Sequence, residues 1–336
     1  MKSVIVMLKE KEFEERKAEI AMLTGTGGYD VARFFFQDKQ PRARFLVGKG
    51  KVREIRDFVE EDGTGLVIFE NYLNSRQIMS LEREFRVPVI DKYDLILNVF
   101  EMHARSKEAM LQIELARLRR NIPYVKISTG LRMRADHPGY GAGGEYIVNS
   151  TITNVHKRIK KIESELKKYS ARTLQQAKRR REKGKIVSIV GYTNVGKTTL
   201  LNRLTGVKKE ERDELFTTLR SKTASLDRGI FLMDTIGFIR NLPHDLIYAF
   251  QATLEEIKNS DLILIVLDAS DGGKEFLRKR EICEKTLTKI NADPVPTLYV
   301  LNKIDLGNSV GGDYIPVSAK YGTGIEELKT KIVANL

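Results

Sequence analysis

Short apolar runs alternate with helical ones from Ser3 to Asp91. SVIVML is followed by FEERKAEIAML, then VARFFF and FLVG, then KVREIRDFVEE, LVIFE, SRQIMSLEREF and VPVID. The short runs are strand-sized and rich in β-branched and aromatic residues, while the longer ones carry apolar residues three and four apart. This alternation predicts a small α/β domain with a largely parallel sheet. From about Tyr93 to Arg120 the apolar spacing turns helical, with Leu95, Ile96, Val99, Met102, Met110, Ile113, Leu115 and Leu118. One long helix is expected, interrupted near His103, with Pro123 beyond its end. The stretch STGLRMRADHPGYGAGGEY, rich in Gly with scattered Arg, has no periodicity and reads as an extended loop. A second helix is expected from about Val148 to Arg181, with Ile152, Val155, Ile159, Ile162, Leu166 and Leu174 on one face and lysines elsewhere. The two make a helical hairpin with a flexible tip.

The run KRRREKGK marks a boundary, after which strand and helix patterns alternate again: IVSIV, GKTTLLNRL, TASLD, IFLMDT, DLIYAFQATLEEI, LILIVLD, a helical run around Cys283, TLYVLN, YIPVSA and GIEELKTKIV. This predicts a second α/β unit with a mostly parallel sheet. The chain thus divides into 1–103, an α/β subdomain, 104–183, the hairpin, and 184–336, the second α/β domain. Its 336 residues suffice for two cores. The N-terminal apolar run ends in charge at Lys9, and LILIVLDA is only strand-sized, so neither a signal peptide nor a membrane span is expected. A single cysteine, Cys283, makes no intramolecular disulfide and reads as an inert buried thiol. A cytoplasmic monomer without membrane insertion is the expectation.

Charge changes the picture once it is divided by region. Residues 1–103 carry 17 Lys and Arg against 18 Asp and Glu, and residues 184–336 carry 21 against 20. Residues 104–183 carry 20 against 7, which is the whole net charge of +13. Basic charge concentrated on a hairpin is an electrostatic footprint for a polyanion such as RNA, through phosphate neutralisation and counterion release. Solvated helix faces are the plain alternative. Arg132, Arg134 and His137 stand in the Gly-rich stretch among Gly139, Gly141, Gly143 and Gly144, where they could meet RNA or merely link helices. Tyr140 and Tyr146 could stack on bases.

The second domain carries the chemistry. Gly191-Tyr192-Thr193-Asn194-Val195-Gly196-Lys197-Thr198 fits GxxxxGK[ST] between a strand and a helix, with Thr199 following. In that pattern backbone N–H groups cradle phosphates, Lys197 reaches the β- and γ-phosphates and Thr198 binds Mg²⁺. Asn302-Lys303-Ile304-Asp305 follows a strand and resembles the guanine-recognition motif of P-loop GTPases. The Asp305 carboxylate would accept from two guanine donors that adenine lacks, Lys303 would cover the base and Asn302 would tie this loop to the phosphate loop. Ser318-Ala319-Lys320 resembles the next guanine-binding motif. Asp234-Thr235-Ile236-Gly237 is a DxxG, whose Asp reaches Mg²⁺ through water and whose Gly N–H meets the γ-phosphate. In LFTTLR, Thr217 and Thr218 are candidates for the first switch, and related GTPases favour Thr218 as the residue completing the Mg²⁺ site. The catalytic set is therefore Lys197, Thr218 and Gly237, and the metal set Thr198, Thr218 and Asp234. Phe238 stands where many GTPases carry a water-orienting Gln, so slow hydrolysis alone and acceleration by a partner are expected. Asn194 matches the phosphate-loop Asn of potassium-stimulated GTPases, which adds K⁺ to GTP, GDP and Mg²⁺ as a candidate cofactor.

The first domain narrows the family. FLVGKGKV (45–52), VIDKYDLIL (89–97), ARSKE (104–108) and LQIELARL (111–118) closely resemble the HflX family, and the match covers nearly the whole chain. The resemblance implies a ribosome-associated GTPase that binds the large ribosomal subunit, with the hairpin approaching ribosomal RNA near the peptidyl transferase centre, and that in known members separates subunits. Two departures limit it. After Gly144 and Glu145 the family's acidic and double-arginine stretch is replaced by YIVNSTITNVHKRI, which keeps only Arg158 and Ile159 in register. The sequence stops after GIEELKTKIV, so contacts of the further C-terminal domain in many bacterial members do not carry over. The rival classes are a signalling GTPase whose hairpin meets a protein, another RNA or a membrane surface, and a binding module in which GTP is structural. Gly25-Thr26-Gly27-Gly28 hints at a second nucleotide site, but a turn explains it better.

Overall fold

The computed structural model describes residues 1–336 apart from 39–43, 105, 137–140, 183, 208–221, 228, 236, 241–255 and 308–310, and apart from the side chains of 129–148, 172–174 and 176–181. The chain falls into two compact units, one of residues 1–102 and 110–165, the other of residues 103–109 and 166–336.

In the first unit the strands β1 (Lys2–Leu8), β2 (Asp30–Gln37), β3 (Leu66–Phe69) and β4 (Val89–Asp91) form a sheet in the order β2, β1, β3, β4, with every pair parallel. The crossovers are α1 (Phe13–Thr26), α2 (Lys49–Asp62) and α3 (Ser75–Phe85). A parallel sheet must be covered on both faces. Accordingly β1 is buried from Ser3 to Leu8 and β3 throughout. Helix α3 begins with reciprocal caps: Gln77 N–H donates to Asn74 Oδ1 and Asn74 N–H to Gln77 Oε1, both at 2.9 Å. The cluster Gly25 to Gly28 closes α1. Gly27, Gly28 and Tyr29 N–H groups donate to Leu23, Gly25 and Thr24 carbonyls, so these amides are spent within the helix end.

Helix α4 (Lys92–His103) and helix α5 (Lys107–Asp136) are separate, as the break near His103 predicts. Asp91 opens α4, its Oδ1 accepting from Tyr93 and Asp94 N–H and its Oδ2 from Leu73 N–H and Arg120. Two expectations are corrected. Helix α5 does not stop before Pro123 but continues to Asp136, and α6 (Gly141–Arg181) begins at Gly141, so the Gly-rich stretch is largely helical. Pro123 removes one ladder donor, and each glycine costs about 1 kcal/mol of propensity. Neither sum forbids a helix within a long hairpin whose other turns are intact. Ion pairs between Arg119 and Glu163 and between Arg158 and Glu114, each at 2.7 Å, join α5 to α6. They are half exposed and contribute little, whereas Ile113, Leu115, Ile159 and Ile162 are buried. Arg132 and Arg134 lie on α5, and Gly141, Gly143, Gly144 and Tyr146 on α6; His137, Gly139 and Tyr140 fall outside the described residues.

In the second unit β5 (Lys185–Gly191), β6 (Lys222–Asp227), β7 (Ile230–Asp234), β8 (Leu262–Asp268), β9 (Thr297–Asn302) and β10 (Ile315–Pro316) form a sheet in the order β10, β9, β8, β5, β7, β6. All pairs are parallel except β6 with β7. Helices α7 (Lys197–Thr205), α8 (Gly273–Lys289) and α9 (Ile325–Ala334) belong to this unit. The central strand β8 is buried along its whole length, which is why LILIVLD reads as a continuous apolar run rather than an alternating one. The carboxyl ends of β5, β7, β8 and β9 carry Gly191, Asp234, Asp268 and Asn302, and open parallel sheets bind ligands at this edge.

Candidate nucleotide site

The loop between β5 and α7 turns back on itself through two left-handed residues, Asn194 at φ 61° and Gly196 at φ 87°. At Gly196 glycine is required twice, because an added Cβ would also lie 2.5 Å from Asn302 Nδ2. That amide donates to Val195 O at 2.8 Å while Asn302 Oδ1 accepts from Ala319 N–H at 2.9 Å. One buried side chain therefore joins the phosphate-type loop, the end of β9 and the Ser318 loop. Arg203 of α7 holds the Ser318 loop from the other side, donating to Ala319 O at 3.0 Å and to Lys320 O.

Lys197 is 8% exposed and donates to Tyr192 O at 2.7 Å and Gly191 O at 3.2 Å, so its ammonium sits inside the loop. Burial pushes it down to about 8, against the pull of Asp234. Thr198 Oγ1 donates to Asp234 Oδ2 at 2.7 Å. A hydroxyl and a carboxylate at one point are hard oxygen donors, the set that fits Mg²⁺ completed by phosphate and water. Gly237 lies against the same loop: a Cβ there would meet Thr193 Cγ2 at 2.8 Å and Lys197 Nζ at 3.0 Å. Thr235 is turned inward, its hydroxyl donating to Ile189 O at 2.8 Å. Thr199 follows on α7, half-buried. Thr217, Thr218 and Ile236 lie outside the described residues.

At the base end, Lys303 takes a left-handed backbone at φ 64°. Its ammonium donates to Asn194 O at 2.8 Å and pairs with Asp268 Oδ2 at 2.7 Å. Asp268 is held by Ser270, through its N–H at 2.9 Å and its hydroxyl at 2.6 Å, and despite burial these contacts keep its carboxyl below the ordinary value. Ser318 Oγ donates to the exposed Asp305 carboxylate, and Lys320 is exposed. Phe238 is 2% exposed and bridged to Tyr192 through its backbone. Asp268, Arg203, Arg240 and Glu275 all touch the loops yet were missed in the sequence. Only Asp268 carried a signal, as an acid ending a wholly apolar strand.

A strand, a GxxxxGK[ST] loop and a helix, with an NKxD loop fastened to the first loop at the carboxyl edge of a parallel sheet, define a P-loop GTPase. Residues 186–303 match the family model described as a 50S ribosome-binding GTPase, residues 14–101 the GTP-binding GTPase N-terminal model and residues 103–180 the GTP-binding GTPase middle region. A GTPase HflX of Methanocaldococcus jannaschii is 35% identical over 349 residues, covering 99% of this chain and 86% of the relative. The GTPase HflX of Escherichia coli is 35% identical over 309 residues, covering 90% and 72%. A solved GTP-binding protein from Sulfolobus solfataricus in complex with GDP is 29% identical at a TM-score of 0.54, covering all of this chain and 98% of that one. The chain belongs to the HflX family of GTPases. It binds guanine nucleotide and hydrolyses GTP. Among the described residues no helix is long and apolar enough to cross a membrane.

Proposed function

We propose that the chain is a GTP-dependent switch that docks on the large ribosomal subunit and whose hydrolysis is triggered there. The observation that carries the nucleotide part is the Asn302 bridge, which places the phosphate loop, the NKID loop and the Ser318 loop in one fixed arrangement. In this reading the amides of residues 191–196 and the Lys197 ammonium take the phosphates. Lys197 exchanges its two loop carbonyls for phosphate oxygens. Thr198 and Asp234, with Thr218, hold Mg²⁺, which supplies neutralisation of phosphate charge. Gly237 N–H takes the γ-phosphate, Asp305 reads the guanine edge, Lys303 lies along the base, and Ser318, Ala319 and Lys320 close over its carbonyl side. Asn194 makes K⁺ a further candidate ligand of the loop.

The ribosomal part is supported by the description of the family model matching residues 186–303 and by the +13 charge of residues 104–183. The subdomain 1–103 and the hairpin 104–183 are the docking module, and the hairpin meets ribosomal RNA through phosphates. Docking there separates the subunits or blocks their association. Phe238, buried and bridged to the phosphate loop, orients no water, so the chain alone hydrolyses slowly. The test is GTP hydrolysis by the full chain with and without purified large subunits at two salt concentrations, with Lys197→Ala as the inactive control. Strong stimulation that falls with salt is expected; turnover unaffected by large subunits contradicts the proposal.

A further inference from the structure

Beyond Gly237 the chain is held at three points before it leaves the described residues at 241. Phe238 N–H donates to Gly191 O at 3.0 Å and Phe238 O accepts from Thr193 N–H at 2.9 Å. Two residues on, Arg240 N–H donates to the Tyr192 hydroxyl at 3.0 Å. The Arg240 guanidinium donates through Nη2 to both carboxylate oxygens of Glu275, in the first turn of α8. The side chains are 5% and 20% exposed. Helix α8 then returns to Tyr192, since the Lys279 ammonium lies 5.4 Å from the Tyr192 ring centroid and is itself fixed by Asp271 at 2.5 Å.

A desolvated ion pair contributes little net stability compared with apolar packing of the same volume, but it fixes geometry, and breaking one partner leaves the other uncompensated. Here the geometry it fixes is specific. Gly237 stands between Asp234 and the clamped residues 238–240. Its Cα has so little room beside Lys197 Nζ and Thr193 that an added Cβ would approach both to 3.0 Å or less. A small shift of residues 238–240 is therefore passed to the Gly237 amide.

We propose that Arg240 and Glu275 are a positioning pair for γ-phosphate recognition. By anchoring the residues that follow the DxxG segment to α8, they hold Gly237 N–H where the third phosphate arrives, and so set both the preference for GTP over GDP and the basal hydrolysis rate. A hydrogen-bond donor contributes to transition-state stabilisation only when it is held in place in advance. The pair acts through Gly237, and the inference rests on the reading of Gly237 as the γ-phosphate contact.

The test uses the full chain and compares wild type with Glu275→Gln, which keeps the shape and removes the charge, and with the swap Arg240→Glu, Glu275→Arg. Affinities for GDP and for a non-hydrolysable GTP analogue, kcat, KM and thermal unfolding are measured on each. Glu275→Gln is expected to lower kcat and the ratio of analogue affinity to GDP affinity about tenfold, with GDP affinity within twofold, and to lower the unfolding temperature because Arg240 is left uncompensated. The swap restores part of the ratio. A purely structural pair would weaken both nucleotides equally, and an unchanged ratio and kcat would equally overturn the proposal. Tyr192→Phe removes only the hydroxyl that accepts from Arg240 and keeps the test decisive if Glu275→Gln does not fold; it should move the ratio the same way, and no movement overturns the idea. Gly237→Ala separates the two levels. If it destroys the analogue preference while Glu275→Gln does not, the pair fails and the γ-phosphate reading stands; if Gly237→Ala also keeps the preference, both fall.

Discussion

Lys303 Nζ lies 2.7 Å from Asp268 Oδ2, joining the NKID loop to the end of the neighbouring strand β8. The same ammonium donates to Asn194 O at 2.8 Å. Asp268 is thus the group that aims Lys303 across the base site toward the phosphate loop. Asp268→Asn should weaken GTP and GDP alike by about tenfold, equivalent to ~1.4 kcal/mol for one charge-assisted hydrogen bond. The loss should appear in nucleotide dissociation and leave kcat unchanged at saturation. Stopped-flow release of a fluorescent GDP checks it, and an unaltered dissociation rate would remove Asp268 from the site.

Gly196 is the most constrained glycine of the loop, at φ 87° with Asn302 Nδ2 2.5 Å from a built Cβ. Gly196→Ala adds a left-handed strain of about 1 kcal/mol and displaces Asn302 from Val195 and Ala319. Nucleotide affinity should fall more than tenfold and the unfolding temperature should drop with it. Calorimetric titration with GDP would refute this if affinity stayed within twofold of wild type.

A pH dependence of stability belongs to the first unit. Burial, reinforced by the neighbouring Asp91, pushes the Asp94 carboxyl from 3.8 up to about 6, against Arg120 and Arg117. Between those values the folded chain holds a proton that the unfolded chain has released, so stability falls as pH rises through this window. Asp94→Asn cannot ionise. Its unfolding temperature relative to wild type should climb from pH 4 to pH 7 and then level off. A difference that stays flat across that range would show that Asp94 is ionised throughout in the folded state.

Arg132 and Arg134 lie on the last turns of α5. Reversing both to Glu should leave GTP affinity untouched, weaken binding to large subunits and flatten its salt dependence by about one unit of slope per lost phosphate contact. Ribosome affinity equal to wild type at low salt would exclude this part of the hairpin from the interface.

Much of this was legible because it is local. The strand, glycine turn and helix around Lys197 are written in one continuous run from Lys185 to Thr205, and Asn302 to Asp305 follow a strand whose apolar run is unmistakable. The parallel sheets follow from alternation alone. The reach of α5 was not legible, since Pro123 and the run GAGG are breakers by propensity, and propensity yields in a hairpin where Ile113, Leu115, Ile159 and Ile162 are buried and ion pairs join the two helices. Nor were Arg203, Arg240 and Glu275, whose contacts join residues 35 to 117 positions apart. Nothing in a single sequence ties an arginine after DTIGFI to a glutamate on a later helix; only the fold brings them together.

In the proposed switch, GTP governs docking on the large ribosomal subunit. Sedimentation of the full chain with purified large subunits, in the presence of a non-hydrolysable GTP analogue or of GDP, tests it most directly. Co-sedimentation with the analogue, release with GDP and weakening as salt rises are expected. Equal binding in both nucleotide states, or none in either, would contradict it.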